Sequence, residues 1–258
     1  MQTTHLEKLG ATPSRLGFGC MRLPTTPDGA IDEPRATKLL HRAYEAGVNY
    51  FDTAYFYHQH KSEEFVGRAI KAFPRESFYL ATKLPLSIVH GKDEAKAVFE
   101  EQLQRLQVDY FDFYLLHAIN GKRWQEVKVD GTMDFLLEQQ KAGRIRHLGF
   151  SFHDDYEAFE TIITDREWDF CQIQFNYMDI DTQAGMKGYE LATKLGVPLI
   201  IMEPVKGGSL AALSDDVAKM MKDVRPEKPQ AYMTSVIFAF LLASRLAACF
   251  SRMLRIKS

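Results

Sequence analysis

The strongest constraint on this chain is a rhythm: short runs of β-branched and aromatic residues alternate with longer stretches of helical period as far as Val205. Repeated alternation of this kind marks βα units on a parallel sheet, because parallel neighbours need a crossover that a helix supplies. Seven strands are predicted, over Leu16–Leu23, Asn49–Ala54, Phe78–Leu84, Tyr110–His117, Ile145–Phe152, Asp169–Tyr177 and Pro198–Val205. Six helices are predicted between them, over Pro34–Ala46, Ser62–Ala72, Asp93–Leu106, Thr132–Ala142, Tyr156–Thr164 and Ala184–Leu195. Gly47, Gly143 and Gly196 each follow a helix, where a left-handed residue commonly ends it. No GxGxxG turn follows any strand, so the pattern favours a closed α/β barrel of the (β/α)8 TIM type over a doubly wound sheet. With 258 residues, 46% of them hydrophobic, residues 1–258 are read as one domain with a sizeable core.

An eighth strand is needed after Val205, and there the rhythm stops. Residues 228–258 form an atypical tail in which Ala231–Phe250 is almost continuously apolar, interrupted by Arg245 and followed by a basic end. Three readings stay open: an outer helix of a shortened barrel, a truncated or frameshifted end, and a membrane anchor, against which Arg245 counts because a charge in mid-membrane is costly. The barrel is therefore expected to be incomplete at the eighth βα unit. Open edges on strands one and seven would then lower stability or promote self-association.

Composition removes several function classes. The 32 basic and 34 acidic residues leave a net charge of -2 and are spread along the chain, so no block neutralises phosphates and no nucleic acid is expected as a partner. Cys20, Cys171 and Cys249 are far apart and form no CxxC, which argues against a disulfide framework or a structural zinc site; no metal is expected. Met1–Gly10 carries Glu7 and Lys8 where a secretory signal would be apolar, and a cytoplasmic location is expected.

A (β/α)8 barrel assembles its site at the C-terminal ends of its strands. Here those ends carry Asp52, Lys83, His117 and Ser151, and strand six carries Gln172, Gln174 and Asn176 on one face with Ile173, Phe175 and Tyr177 on the other. Each has an ordinary account when taken alone. Lys83 can be a solvated loop residue, His117 a hydrogen-bonded core histidine, Asp52 a helix cap, and the amide stripe a satisfied barrel interior. Taken together, titratable groups at three successive strand ends converge on one mouth, where burial without function is costly.

Phe51-Asp52-Thr53-Ala54-Tyr55-Phe56-Tyr57, followed by Ser62-Glu63-Glu64-Phe65-Val66-Gly67, resembles the signature of the aldo-keto reductases. Ala81-Thr82-Lys83-Leu84, Tyr114-Leu115-Leu116-His117, Gly149–Asp154, Gln172–Tyr177 and Glu203–Gly208 continue the resemblance. It implies a catalytic tetrad of Asp52, Tyr57, Lys83 and His117, Tyr57 being the residue five after Asp52. It also implies cofactor contacts from Cys20, Met21, Asp52, Ser151, Gln174, Met202, Glu203, Pro204 and Val205. The implied activity is NAD(P)H-dependent reduction of an aldehyde or ketone, or the reverse oxidation, on a small carbonyl substrate, with NADPH preferred to NADH. On this scheme Tyr57 gives the proton, Lys83 lowers the Tyr57 pKa, Asp52 keeps Lys83 charged, and His117 directs the substrate oxygen. The alternative is a cofactor-binding or regulatory barrel with little turnover. Tyr55, Phe56 and Phe152 are either an apolar wall for substrate or packing residues. The family's eighth-strand region, which grips the adenine end, has no recognisable counterpart in the tail.

Overall fold

The computed structural model describes residues 1–210, 214–217, 219 and 248–251, the last four as backbone. Eight parallel strands close into a ring: β1 (Leu16–Gly19), β2 (Tyr50–Asp52), β3 (Tyr79–Leu84), β4 (Phe111–Ile119), β5 (Ile145–Phe152), β6 (Phe170–Gln174), β7 (Leu199–Met202) and β8 (Ala248–Ser251). The strand that the sequence pattern did not resolve is β8, which lies at the end of the apolar run. Its backbone pairs Leu16 with Cys249 on one side and Ile200 with Ala248 on the other. The edges of β1 and β7 are therefore covered rather than open, and the reason given for self-association falls away. The rest of the atypical tail lies outside the described residues, so among them the eighth unit is a strand without its helix. Among the described residues, no helix is long and apolar enough to cross a membrane.

The helices are α1 (Glu33–Glu45), α2 (the single turn Tyr57–His60), α3 (Ser62–Ile70), α4 (Lys92–Leu106), α5 (Gly121–Val127), α6 (Thr132–Lys141), α7 (Tyr156–Thr164) and α8 (Gly185–Lys194). Their starts follow capping chemistry. Asp32 accepts from the Arg35 amide at the head of α1, and Asp155 from Ala158 at the head of α7. Gly47, Gly143 and Gly196 take the left-handed dihedrals anticipated for helix ends. Helix α5 was not predicted; Asn120 nucleates it by accepting from the Arg123 amide just after β4. Strands one, two, six and seven are shorter than predicted because the chain turns away after the last ladder pair: Cys20–Arg22 forms a 3-10 turn after β1.

Two separate clusters reveal the layering. Outward-facing strand residues such as Phe51, Tyr114, Phe150 and Ile173 pack with the helices. Inside the ring, Tyr50, Ala81, Phe113, Leu115, Phe170 and Ile200 form a plug, joined by Leu6 and Ala11 from a short antiparallel N-terminal segment. Alternation along each strand then lifts the next inward residue one layer higher, so Asp52 stands above Tyr50, Lys83 above Ala81, His117 above Leu115 and Gln172 above Phe170. The apolar plug is the floor on which a polar layer rests.

The plug tolerates no added atom at Gly149, paired with Phe170 in the β5–β6 ladder. A Cβ there would sit 2.5 Å from the Phe170 carbonyl oxygen and 2.7 Å from its ring. Gly149→Ala is expected to destabilise the fold by about 1–3 kcal/mol. In a domain of this size that lowers Tm by about 2–4 °C per kcal/mol. Thermal denaturation followed by circular dichroism checks this, and an unchanged Tm would contradict the close approach.

Candidate active site

Asp52 ends β2, Lys83 lies one residue from the end of β3, and His117 precedes a register shift in β4. Tyr57 is not on a strand; the turn α2 brings it back over the ring. The four side chains converge. The Lys83 ammonium lies 2.5 Å from the Asp52 carboxylate, 2.8 Å from the Thr53 carbonyl and 3.3 Å from the Tyr57 hydroxyl. Asp52's second oxygen accepts from Gln172 at 3.2 Å. The His117 ring meets the Tyr57 ring edge-on, with centroids 6.1 Å apart. Lys83 is only 1% exposed, and Tyr57 and His117 are partly exposed at the mouth.

Burial dominates the electrostatics. It raises the Asp52 carboxyl pKa, against the opposing pull of Lys83 and Gln172. Burial alone would lower Lys83, but the Asp52 carboxylate and the Tyr57 hydroxyl outweigh it and the ammonium pKa is raised. The pair is thus a buried ion pair. Burial also raises Tyr57, with Lys83 opposing and Asp52 adding to the rise. This corrects the expectation that Lys83 brings the phenol below its ordinary value: the cation moderates the rise without reversing it. Burial, then Lys83 and His153, push His117 down to about 3, so its imidazole is neutral at pH 7. Lys83 donates to the Tyr57 oxygen, which leaves the phenol's own proton for another acceptor.

Behind this group lies a second polar layer. The Glu63 carboxylate, fully buried, accepts from Thr82 at 2.6 Å, from Gln102 at 2.6 Å and from Arg105 at 3.4 Å. Gln102 also donates to the Lys83 carbonyl at 3.0 Å and accepts from the Tyr114 hydroxyl at 2.5 Å. The strand carrying Lys83 is held from the helix side. Sequence reasoning missed Gln102 and Tyr114, since a Gln in a helix and a Tyr in an apolar strand carry no local mark of their pairing. Glu63 could have been found as a charge among the apolar residues of α3.

The residues expected at a cofactor fall into two groups. Ser151 and Gln174 are buried at the upper edge of β5 and β6, and Ser151 accepts from the Ala118 amide at 2.8 Å. Gln174 donates to Asp179 and accepts from Gln183, two partners not anticipated from sequence. Asn176 donates to Asp179 and to the Glu203 carbonyl, so the third residue of the stripe ties loops together. Met202, Glu203, Pro204 and Val205 run from β7 into a turn in which Glu203, Lys206, Gly207 and Gly208 all have positive φ. Met21 is 53% exposed. The Cys20 side chain is fully buried, and burial raises its thiol pKa. Tyr55 is a packing residue; its hydroxyl donates to Glu101 on α4 and Arg105 lies over its ring. Phe152 is likewise buried, edge-on to Phe159. Only Phe56 of the three aromatics remains as a candidate wall, beside His60.

Among the described residues, no cluster of His, Cys, Asp and Glu could hold a metal ion. What the barrel presents at its mouth is a buried ion pair touching a phenol, with a neutral imidazole alongside. The sequence profile of the Aldo/keto reductase family matches residues 15–251, and the chain belongs to that family. It is similar to aldo-keto reductase YhdN of Bacillus subtilis, 33% identical over 161 residues that make up 58% of this chain and 47% of the relative. It is also similar to the uncharacterized oxidoreductase YqkF of the same organism, 35% identical over 156 residues and 47% of that protein. The matched stretch thus spans about half the length of these curated relatives. The crystal structure of aldo-keto reductase AKR11C1 from Bacillus halodurans, holo form, superposes with a TM-score of 0.78 at 26% identity, covering 97% of this chain and 86% of that one.

Removing the cation strands a buried carboxylate. Lys83→Met is expected to cost about 3–5 kcal/mol, because an ion buried without its partner keeps its desolvation penalty. Adding Asp52→Asn to Lys83→Met should recover part of that loss. Urea denaturation of the three proteins measures it, and a single variant as stable as the parent would argue that Asp52 does not hold a charge.

Proposed function

We propose that this protein reduces a small aldehyde or ketone to the alcohol, or runs the reverse oxidation, with NADPH preferred to NADH. The observation that carries the reading is the contact of Tyr57 with the Lys83–Asp52 ion pair at the barrel mouth. Carbonyl reduction needs a hydride at carbon and a proton at oxygen, and a bound reduced nicotinamide supplies the hydride.

The residues present fit such a cofactor. Ser151 accepts through its oxygen and keeps its hydroxyl proton to offer, which suits the carbonyl of a carboxamide. Gln174 offers an amide on the same side once it exchanges its present partners. At the turn after β7, a Cβ on Gly207 would lie 3.7 Å from the Arg22 guanidinium carbon, so the glycine backbone and a cation are close together, as a diphosphate requires. Met202, Glu203, Pro204 and Val205 lead into that turn and Met21 directly precedes Arg22, while Asp52 acts only through Lys83.

Tyr57 is the proton donor. Its raised pKa keeps it protonated through neutral pH, and Lys83 stabilises the phenolate formed when the proton leaves. Asp52 holds the ammonium charged and aimed. His117, neutral, donates to the substrate oxygen and orients it toward Tyr57. Low water access around Lys83 strengthens these interactions. The alternative, a cofactor-binding barrel with little turnover, is decided by the same assay.

NADPH and NADH titrations with fluorescence detection, followed by a carbonyl substrate panel, test the reading. Tyr57→Phe should abolish turnover while sparing NADPH affinity; unchanged turnover rejects the proton donor. The sign of the pH dependence follows from the shifts: the acid form of Tyr57 is the active one, so kcat for reduction should hold through neutral pH and fall only above the ordinary tyrosine pKa of about 10. His117 should contribute no limb near pH 6.5, the ordinary value of about 6.5 for histidine being well above its own. Binding without turnover across the panel would favour the regulatory reading.

A further inference from the structure

The turn that carries Tyr57 is one that side chains disfavour. His58, Gln59 and His60 have φ values of 51, 54 and 69, three consecutive non-glycine residues in the left-handed region. Each costs about 1–2 kcal/mol relative to right-handed backbone, so the surroundings must hold the turn in place. At its base, the Thr53 and Ser62 hydroxyls meet at 2.9 Å. At its tip, the Leu23 amide donates to His58 Nε2 at 3.0 Å. The Cys20 carbonyl accepts from Ser62 at 3.2 Å. Since Nε2 accepts, the ring proton sits on Nδ1, and the imidazole making this bond is neutral. Burial lowers the His58 pKa and keeps it in that form.

These contacts tie the turn after β2 to the 3-10 turn after β1. Tyr57 lies in the strained segment and not in a strand, and its 3.3 Å contact is the longest of the three made by the Lys83 ammonium. A small shift of the turn would lose it.

We propose that His58 is a positioning residue: its bond from the Leu23 amide holds the left-handed turn that sets the Tyr57 hydroxyl against Lys83. Its kinetic consequence rests on the carbonyl-reduction reading; its geometric one does not.

The test compares His58→Gly, which relaxes the backbone strain and removes the clamp, with His58→Asn, which tolerates left-handed dihedrals and retains a donor and an acceptor. With para-nitrobenzaldehyde and NADPH, His58→Gly should lose about 10²-fold in kcat, the cost of misplacing a reacting group by about 1 Å. KM and NADPH affinity should change little, the Leu23 amide should exchange faster with deuterium, and His58→Asn should recover part of the kcat. A folded His58→Gly with parental kcat overturns the inference, as does a loss explained by a fall in Tm that His58→Asn does not repair. If the parent protein turns over no carbonyl in the panel, the reduction reading fails on its own. The positioning role is then read from the near-ultraviolet phenolate titration of Tyr57, isolated by subtracting Tyr57→Phe: a midpoint displaced in His58→Gly supports it, and an identical midpoint overturns it.

Discussion

A lysine only 1% exposed inside a barrel is the constraint around which this structure is organised. An ammonium so far from water is retained as a charge only where a carboxylate and further acceptors surround it, and Asp52, the Thr53 carbonyl and the Tyr57 hydroxyl do so. Meeting that demand needs groups from β2, β3 and the turn beyond β2 in one place. The closed ring provides it by bringing neighbouring strand ends within reach of one another. The second carboxylate, Glu63, is buried a layer further out and satisfied by Thr82, Gln102 and Arg105, so charges of both signs are matched on both sides of β3.

The two layers of the barrel interior divide the labour. The plug of Tyr50, Phe113, Leu115, Phe170 and Ile200 excludes water from below and fills the ring. Above it the inward residues are polar, because the same alternation continues with different chemistry. Low dielectric beneath the site raises the pKa of Asp52 and Tyr57 and lowers that of His117, and the Lys83 cation partly offsets the first two while adding to the third. The protonated phenol at neutral pH follows from burial against the pull of Lys83, and the uncharged imidazole from burial with Lys83 adding to it.

Legibility in the sequence followed the range of the interactions. Strand positions, helix ends at Gly47, Gly143 and Gly196, and the caps at Asp32 and Asp155 were readable because each depends on neighbours along the chain. The convergence of Asp52, Lys83 and His117 was readable because the ends of successive strands in a parallel barrel must share one mouth. The strand β8 was not, since its apolar run has no period of its own and only pairing to β1 and β7 marks it. Likewise the roles of Tyr55 and Phe152 stayed open until Glu101, Arg105 and Phe159 were seen beside them.

The sequence by itself determined the parallel α/β barrel, the family and the four residues at the mouth, because periodicity, strand-end chemistry and the Asp52-to-Tyr57 spacing are local properties. Only the tertiary structure decided how those residues behave. The balance between burial and Lys83 at Tyr57, the neutrality of His117, the burial of Cys20 and the strained turn at His58 all depend on distances between elements that no stretch of chain encodes alone. Desolvation and Coulomb attraction act through space, and the strands that meet at this site lie far apart along the chain.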